Sequence, residues 1–280
     1  MSASIHTLTP ELGAEIRGID LAAPLDDASR DLIYRAFLEH HLVVIRSQAG
    51  LSTARVLELS RVFGRDLEPH TFQEFHHPET PLIIVLSNRT EAGGKPKGLA
   101  DAGTFWHSDV SYQANPAKAT LLYAVEVPED GGDTLFCNLT AAYEALPAAM
   151  KARLDGLTAV HDYLHSKRDI LVEGKVAAPP PGVHPVVRTH AETGRKAIYI
   201  NPAYTTHIEG LESAESDALM AEIFDHCLAE RFRMTYRWKP GDVVVWDNAA
   251  TMHSATTKHL DPAKHRTLWR TIISGDTPVR

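Results

Sequence analysis

The segment TFWHSDVSY, residues 104–112, places a histidine and a carboxylate two residues apart among aromatic and β-branched neighbours. These neighbours favour a strand, and side chains two apart in a strand point to the same face. We therefore predict that His107 and Asp109 share one site. Because an ionised carboxylate is costly to bury unless it is paired or binds a metal, the pair indicates either a metal site or a His–Asp hydrogen bond at a strand end.

A third candidate ligand lies in the segment GDVVVWDNAATMHSAT. Val243 to Trp246 form a continuous apolar run, typical of a strand buried on both faces, and His253 follows a polar turn. Two histidines and one carboxylate without cysteine form the facial triad of non-haem Fe(II) enzymes, which leaves coordination positions open. A zinc hydrolase or a cupin-like metal protein could use the same three residues, so that alternative stays open here.

The elements that must position these residues are mostly strands. Apolar runs predict strands at residues 42–47, 82–88 and 119–127, with more strands near the C-terminal end. Helices are predicted early in the chain and between strands. Many strands with helices beside them predict an α+β fold with a β-sandwich or barrel core flanked by helices.

Helical spacing of apolar residues predicts helices over DDASRDLIYRAFLEHH, LSTARVLELSRVFG and SAESDALMAEIFDHCLAE. Asp26 or Asp27 is the expected N-cap of the first, Gly64 the C-cap of the second, and Ser213 the N-cap of the third. A further helical stretch, TAAYEALPAAMKARLDGL, is expected to restart at Pro147.

Two segments are predicted to be irregular. Residues 89–103, RTEAGGKPKGLADAG, carry four glycines and one proline directly before the His-x-Asp segment. A loop of this length is either a lid over a binding site or an ordinary surface loop. Residues 175–185, KVAAPPPGVHP, form the second irregular segment.

Composition excludes several classes of protein. The 280 residues carry a net charge of −8 without a cluster of lysine and arginine, which argues against nucleic-acid binding but not against a small anionic substrate. No apolar stretch is long enough to predict a membrane span. The two cysteines are far apart and no secretory signal is recognisable, so a cytoplasmic protein is expected. We predict a single domain over residues 1–280.

Six ordered blocks resemble the taurine dioxygenase-like family of Fe(II)- and 2-oxoglutarate-dependent oxygenases: WHSD, GGDTLF, AAYEAL, HPVVRTH, WDNAATMH and RTIISGD. The family spacing is also similar, since 24 residues separate Asp109 from Thr134 and 12 separate His253 from Arg266. The resemblance implies a double-stranded β-helix (jelly-roll) core, with Fe(II) bound by His107, Asp109 and His253.

The resemblance also implies roles for other residues. Thr134 and Arg266 would bind the cosubstrate 2-oxoglutarate, while Arg270, His70 and Tyr204 would bind the substrate. With O₂, the enzyme would hydroxylate a C–H bond of a small anionic molecule (a sulfonate, sulfate ester or carboxylate), releasing succinate and CO₂. Relatives are often dimers or tetramers, so a homo-oligomer is expected.

The chain departs from the taurine enzyme's pattern at three positions. Gly103, Gln73 and Lys167 stand where, or near where, that enzyme has Asn, Tyr and Phe, so a pocket shaped for something other than taurine is expected. Two other hypotheses remain. A zinc hydrolase gives no role to Thr134 and Arg266 at their spacings, and a non-catalytic binding protein on this scaffold predicts a missing ligand.

Overall fold

The computed structural model describes residues 3–100, 102–166 and 179–280. Strands make up most of its regular structure, as the sequence predicts. In chain order they are β1 (Ser4–Thr7), β2 (Ala14–Arg17), β3 (Leu42–Ile45), β4 (Leu67–Glu68), β5 (His76–His77), β6 (Thr80–Ser87), β7 (Ala119–Glu126), β8 (Thr134–Asn138), β9 (Thr158–His161), β10 (Gly182–Pro185), β11 (Val187–Thr189), β12 (Lys196–Ile198), β13 (Thr205–Ile208), β14 (Arg233–Tyr236), β15 (Val243–Asp247), β16 (Thr251–Ala255) and β17 (Thr267–Ile273).

Two antiparallel arrays of strands form the core. The larger sheet has nine strands in the order β1-β2-β3-β15-β7-β17-β6-β5, with β4 paired to β17, and only the β2–β3 pair in it is parallel. The smaller sheet has the order β14-β8-β16. Strands β10-β9-β13 and β11-β12 form two further small sheets. The predicted β-sandwich core with flanking helices is therefore present.

Apolar side chains fill the space between the two main sheets. On β15, Val244 and Trp246 face this space, and the Trp246 ring packs edge-on against Phe136 of β8 at 5.4 Å between ring centroids. Val243 and Val245 point to the opposite face. Both faces of β15 are buried, as its continuous apolar run predicts. Each such side chain stabilises the fold by about 1.5–3 kcal/mol relative to exposure.

Helices flank the sheets. They are α1 (Asp27–His40), α2 (Thr53–Phe63), α3 (Leu139–Glu144), α4 (Ala148–Leu154), α5 (Tyr163–Ser166) and α6 (Ser213–Cys227). α1 and α2 pack their apolar faces on the large sheet, whereas α3, α4 and α6 share an apolar cluster with the outward-facing Cys137 and Met252 of the small sheet. None of the described helices has the length and apolar composition needed to cross a membrane.

The predicted helix ends are partly correct. Asp26 is the N-cap of α1, since its carboxylate accepts the Ser29 N–H at 2.8 Å. Gly64 follows α2 as predicted, but its backbone is extended; the glycine is needed because a Cβ there would lie 2.6 Å from Ile273 Cγ2. The prediction for Ser213 is wrong. Glu212 has the extended backbone of a cap, so Ser213 is the first residue inside α6.

Two other predictions are wrong. Residues 104–112 do not form a strand: only His107 makes a β-bridge, and the chain then turns through Val110, which has a φ of 48°. The aromatic and β-branched residues there pack in an irregular segment, because tertiary contacts override their preference for strands. Within the second irregular segment, Gly182–Pro185 forms β10 by pairing with β9, while residues 175–178 lie outside the described residues.

Candidate metal centre and active-site cavity

Two histidines are brought together by a single β-bridge between the irregular segment and β16. The His107 N–H donates to the His253 carbonyl at 3.0 Å, and the His253 N–H donates to the His107 carbonyl at 2.8 Å. Directly paired residues of antiparallel strands point to the same face. The two imidazole centroids therefore lie only 4.2 Å apart, between the two main sheets.

Asp109 completes the group from the turn that follows the bridge. One carboxylate oxygen lies 3.6 Å from His107 Nε2, and the other lies 3.6 Å from His253 Nε2. One potential ligand atom from each of the three residues falls within 4.8 Å of the others. Among the described residues, this is the one group of three or more such side chains that could hold a metal ion.

The surroundings of the three side chains suit a divalent metal. His107 Nδ1 donates to the Phe105 carbonyl at 2.8 Å, which leaves its Nε2 lone pair free. Burial, His107 and Arg270 lower the pKa of His253 to about 3, so its imidazole is neutral. Burial alone would raise the pKa of Asp109, but His253, His107 and Arg270 hold it well below its usual range.

A network of neutral side chains holds Asp109, and sequence reasoning did not find it. The Thr120 hydroxyl on β7 donates to the Asp109 carboxylate at 2.8 Å. Asn248 donates to the Thr120 hydroxyl at 3.0 Å and accepts the Asp109 backbone N–H at 3.1 Å. The sequence gives little indication that these two residues belong to the site, because Thr120 is an ordinary residue for a strand and Asn248 is an ordinary residue for a turn.

Arg266 and Thr134 line a cavity that also contacts His107 and His253. Arg266 Nε donates to the Gly132 carbonyl at 3.0 Å, and burial lowers its pKa to about 10, so the guanidinium stays charged near neutral pH. It forms no ion pair with any carboxylate of the described ranges. The Thr134 hydroxyl accepts the indole N–H of Trp238 at 3.0 Å. The sequence had not indicated Trp238 as a site residue.

Arg270 faces the same cavity from β17, four residues after Arg266. The pairing of β17 with β7 is irregular between Thr267 and Leu268, but the skipped residue is Val125 of β7. The alternation along β17 is thus unbroken, and residues four apart point to the same face, which agrees with both arginines lining one cavity. Arg270 Nη1 lies 3.7 Å from an Asp109 oxygen, and its buried Nε has no hydrogen-bond partner among the described residues.

Two cavities adjoin these groups. The inner cavity, of about 30 Å³, has Thr134, both arginines, His107 and His253 in its wall. The outer cavity, of about 270 Å³, shares Leu86 and Arg266 with the first. The Arg266 side chain therefore lies in the walls of both the space beside the histidines and the larger space.

The other two predicted substrate residues, Tyr204 and His70, lie outside the lining of the inner cavity. Tyr204 is buried and packs edge-on against His107, with 6.1 Å between ring centroids. His70 follows β4, half-buried, and its Nδ1 accepts the Phe72 N–H at 3.1 Å. Of these two residues, Tyr204 thus contacts a predicted metal ligand, although neither Tyr204 nor His70 is among the described residues of the cavity wall.

The three residues that depart from the taurine pattern, Gly103, Gln73 and Lys167, do not share one location. Gly103 lines the inner cavity with a φ of +72°, and a Cβ there would lie 2.6 Å from His107 Cε1, so the glycine makes room for that imidazole. Gln73 is exposed in a short 3-10 turn. Lys167 lies outside the described residues.

A sandwich of antiparallel sheets with a His/Asp/His group between them is characteristic of metal-dependent oxygenases. The sequence model of the family described as "Taurine catabolism dioxygenase TauD, TfdA family" matches residues 4–272. This chain belongs to that family.

Individual relatives agree over nearly the whole chain. An alpha-ketoglutarate-dependent 2,4-dichlorophenoxyacetate dioxygenase of Burkholderia sp. (strain RASC) is 41% identical over 288 residues, covering 98% of this chain and 95% of the relative. An alpha-ketoglutarate-dependent sulfate ester dioxygenase of Pseudomonas putida is 30% identical, covering 100% of this chain and 92% of the relative. The crystal structure of a taurine dioxygenase from Burkholderia xenovorans has a TM-score of 0.84 at 32% identity, covering 100% of this chain and 91% of that one.

The protein is therefore an alpha-ketoglutarate (2-oxoglutarate)-dependent dioxygenase with the double-stranded β-helix core of its family, and Fe(II) is the metal typical of that family. This confirms the predicted enzyme class, fold and cofactors. The family match overturns the alternatives of a zinc hydrolase, a cupin-like protein of another class and a non-catalytic binding protein.

The loop at 89–103 is predicted to be a lid, and its described part indicates where to test this. Leu99 is bound to β6 by two backbone hydrogen bonds, of 3.0 and 3.1 Å, whereas residues 91–97 are exposed. We expect trypsin to cleave after Lys97, and expect Mn(II), 2-oxoglutarate and substrate together to slow that cleavage several-fold. Cleavage after the exposed Arg65, followed by mass spectrometry, is the control. Equal rates at Lys97 with and without ligands would show that the loop is not a lid.

Proposed function

We propose that this enzyme hydroxylates a C–H bond of a small anionic organic molecule while 2-oxoglutarate is converted to succinate and CO₂. The observation that carries the proposal is a pair of arginines facing one cavity beside the His/Asp/His group: Arg266, which is buried, and Arg270, whose side chain is only 11% exposed. A cation without an anion is costly to bury, and each arginine is explained if it pairs with an anionic ligand.

The metal ligands in this proposal are His107, Asp109 and His253. Two imidazoles and one carboxylate form the donor set that non-haem Fe(II) prefers. Bound Fe(II) would supply open coordination positions and the oxidising chemistry with O₂. The surrounding apolar residues, Trp246 and Phe136 among them, would exclude water from this centre.

Arg266 and Thr134 are proposed to bind the distal carboxylate of 2-oxoglutarate. The indole N–H of Trp238 occupies a lone pair of the Thr134 hydroxyl, so the hydroxyl proton remains available to a ligand oxygen. The guanidinium uses Nε for the Gly132 carbonyl, which directs its two terminal nitrogens toward other acceptors. A carboxylate could accept hydrogen bonds from both side chains, as a charge-assisted site requires.

Arg270 is proposed to bind the anionic group of the substrate, with His70 and Tyr204 as further substrate residues. Asp109 balances the charge of Arg270 only in part, because the separation of 3.7 Å is long for an ion pair. The relatives named above act on a phenoxyacetate and on sulfate esters, and the related crystal structure is of a taurine dioxygenase. Their substrates share an anionic group and little else, which supports the class of substrate rather than one compound.

We further infer that the whole chain forms one dioxygenase domain, because the family match extends over residues 4–272. A homo-oligomer, dimer or tetramer, stays a prediction. A substrate bulkier than taurine also stays a prediction, because the His107 imidazole occupies the space beside Gly103. A substrate screen that measures succinate formation from sulfonates, sulfate esters and aryloxy acids would test the proposed function directly.

Replacing any one of His107, Asp109 and His253 by alanine should abolish turnover and weaken metal binding at least roughly tenfold, because each supplies one of three protein ligands. The affinity for Mn(II), measured by calorimetry, checks this without turnover. His226→Ala, on α6 and hydrogen-bonded to the Ala142 carbonyl, is the control and should bind Mn(II) normally. Unchanged Mn(II) binding by His253→Ala would mean that the third ligand is another residue.

Arg266→Ala should raise the 2-oxoglutarate concentration needed for half-maximal rate by tens- to thousands-fold, since losing a buried charge-paired hydrogen bond costs about 2–5 kcal/mol. The KM for substrate should change far less. Arg153→Ala, at an exposed ion pair on α4, is the control and should leave both constants unchanged. The opposite pattern, with the KM for substrate more affected, would exchange the proposed roles of Arg266 and Arg270.

Arg270→Ala and Arg270→Lys should each raise the KM for the best compound of the screen, with the smaller effect for lysine because it keeps the charge. A neutral analogue of that compound should bind weakly to the parent enzyme and equally weakly to Arg270→Ala. If the best compound carries no negative charge, or if neither change alters its KM, Arg270 does not bind substrate.

A further inference from the structure

The hydroxyl of Thr120 lies between a predicted metal ligand and a buried amide. Thr120 is fully buried on β7, paired with Trp246 of β15 on one side and Ile272 of β17 on the other. Its Oγ1 is 2.8 Å from Asp109 Oδ2 and 3.0 Å from Asn248 Nδ2. It lies at the centre of the large sheet, where the backbone has little freedom to move.

The donor and the acceptor of each hydrogen bond that links Asn248, Thr120 and Asp109 can be assigned. Asn248 Oδ1 accepts both the Asp109 backbone N–H and the Trp246 indole N–H, each at 3.1 Å. A flipped amide would place its NH₂ group against those two donors, so Asn248 must offer Nδ2 to Thr120. That donation occupies a lone pair of the Thr120 hydroxyl, whose single proton is then directed to Asp109 Oδ2.

Without this hydrogen bond, Asp109 has a competing partner. Arg270 Nη1 lies 3.7 Å from the other carboxylate oxygen, a distance that a small rotation would shorten to a direct ion pair. The terminal torsion of an aspartate has broad energy wells, so little within the side chain itself opposes that rotation. A metal ion and the guanidinium would then compete for the same carboxylate.

We propose that Thr120, oriented by Asn248, is a positioning residue that fixes the Asp109 carboxylate toward the two histidines and keeps it from pairing closely with Arg270. The inference rests on the proposed metal centre. It assigns to Thr120 a role in metal affinity and, indirectly, in leaving the charge of Arg270 for the substrate. Hydrogen-bonded partners of metal ligands commonly affect metal affinity by about 10–100-fold.

The test compares Mn(II) affinities of the intact protein, measured by calorimetry in the absence of 2-oxoglutarate. Thr120→Val keeps the shape of the side chain and removes the hydroxyl, and should weaken Mn(II) binding roughly tenfold or more. Thr120→Ser restores the donor and should bind within about threefold of the parent. Thr271→Val is the matched control: Thr271 is equally buried on the neighbouring strand β17, but its hydroxyl contacts Ser60 instead.

A double substitution tests the competition itself. In an Arg270→Gln background the competing cation is gone, so Thr120→Val should weaken Mn(II) binding by a smaller factor than in the parent. The visible spectrum of bound Co(II) should change in Thr120→Val and not in Thr271→Val. If Thr120→Val does not fold, Thr120→Cys retains a weak donor of similar size and should weaken binding to an intermediate degree.

Equal Mn(II) affinities in Thr120→Val, Thr271→Val and the parent would overturn the inference while leaving the metal centre in place. Equal losses in the two valine variants would also overturn it, because the effect would then be one of general packing. Failure of the parent protein to bind Mn(II) would instead refute the metal centre, and the inference with it. The two failures are therefore distinguishable.

Discussion

A carboxylate that is withdrawn from water must be balanced by positive charge or by hydrogen-bond donors, and the centre of this protein is organised around Asp109. This side chain is almost fully buried, receives a hydrogen bond from Thr120, and faces two imidazoles and the Arg270 guanidinium. Those partners come from β7, β16, β17 and the irregular segment. The position of one charge thus constrains the relative placement of both sheets, which the apolar contact of Trp246 with Phe136 then stabilises.

A second buried carboxylate shows why only one His–Asp cluster among the described residues resembles a metal site. Asp247 accepts a hydrogen bond from His190 Nε2 at 2.9 Å, and the Nδ1 of that histidine accepts the backbone N–H groups of Glu192 and Thr193. The proton of His190 is therefore on Nε2, and no lone pair faces the carboxylate. At His107 the pattern is reversed, because Nδ1 donates to a carbonyl. The backbone partner of the remote nitrogen decides whether the other nitrogen is a donor or a potential ligand.

The burial of Arg266 and the burial of Arg270 lower the stability of the ligand-free protein to different degrees. Arg270 is partly balanced by Asp109, whereas the described residues that offset the burial of Arg266 are Gly132 through its carbonyl, Trp238 through its ring at 5.9 Å, and Asp133 through its charge. An unbalanced buried cation lowers the stability of the ligand-free protein, and an anion that binds it restores that stability by mass action. Local features that disfavour folding are common at functional sites, and the buried guanidinium of Arg266 is such a feature.

Much of this protein was predictable from local pattern. The apolar run at Val243–Trp246 predicts a strand buried on both faces, the spacing around Asp26 predicts a capped helix, and the ordered blocks predict the enzyme class. Local pattern failed where distant residues decide the backbone. The segment at 104–112 has the composition of a strand, but one bridge to β16 and a left-handed Val110 hold His107 and Asp109 together instead. The parts played by Thr120 and Asn248 were likewise decided only by the tertiary structure, because each is an ordinary residue in its own segment. They acquire a role only when folding places them, from positions 11 and 139 residues away, beside one buried carboxylate.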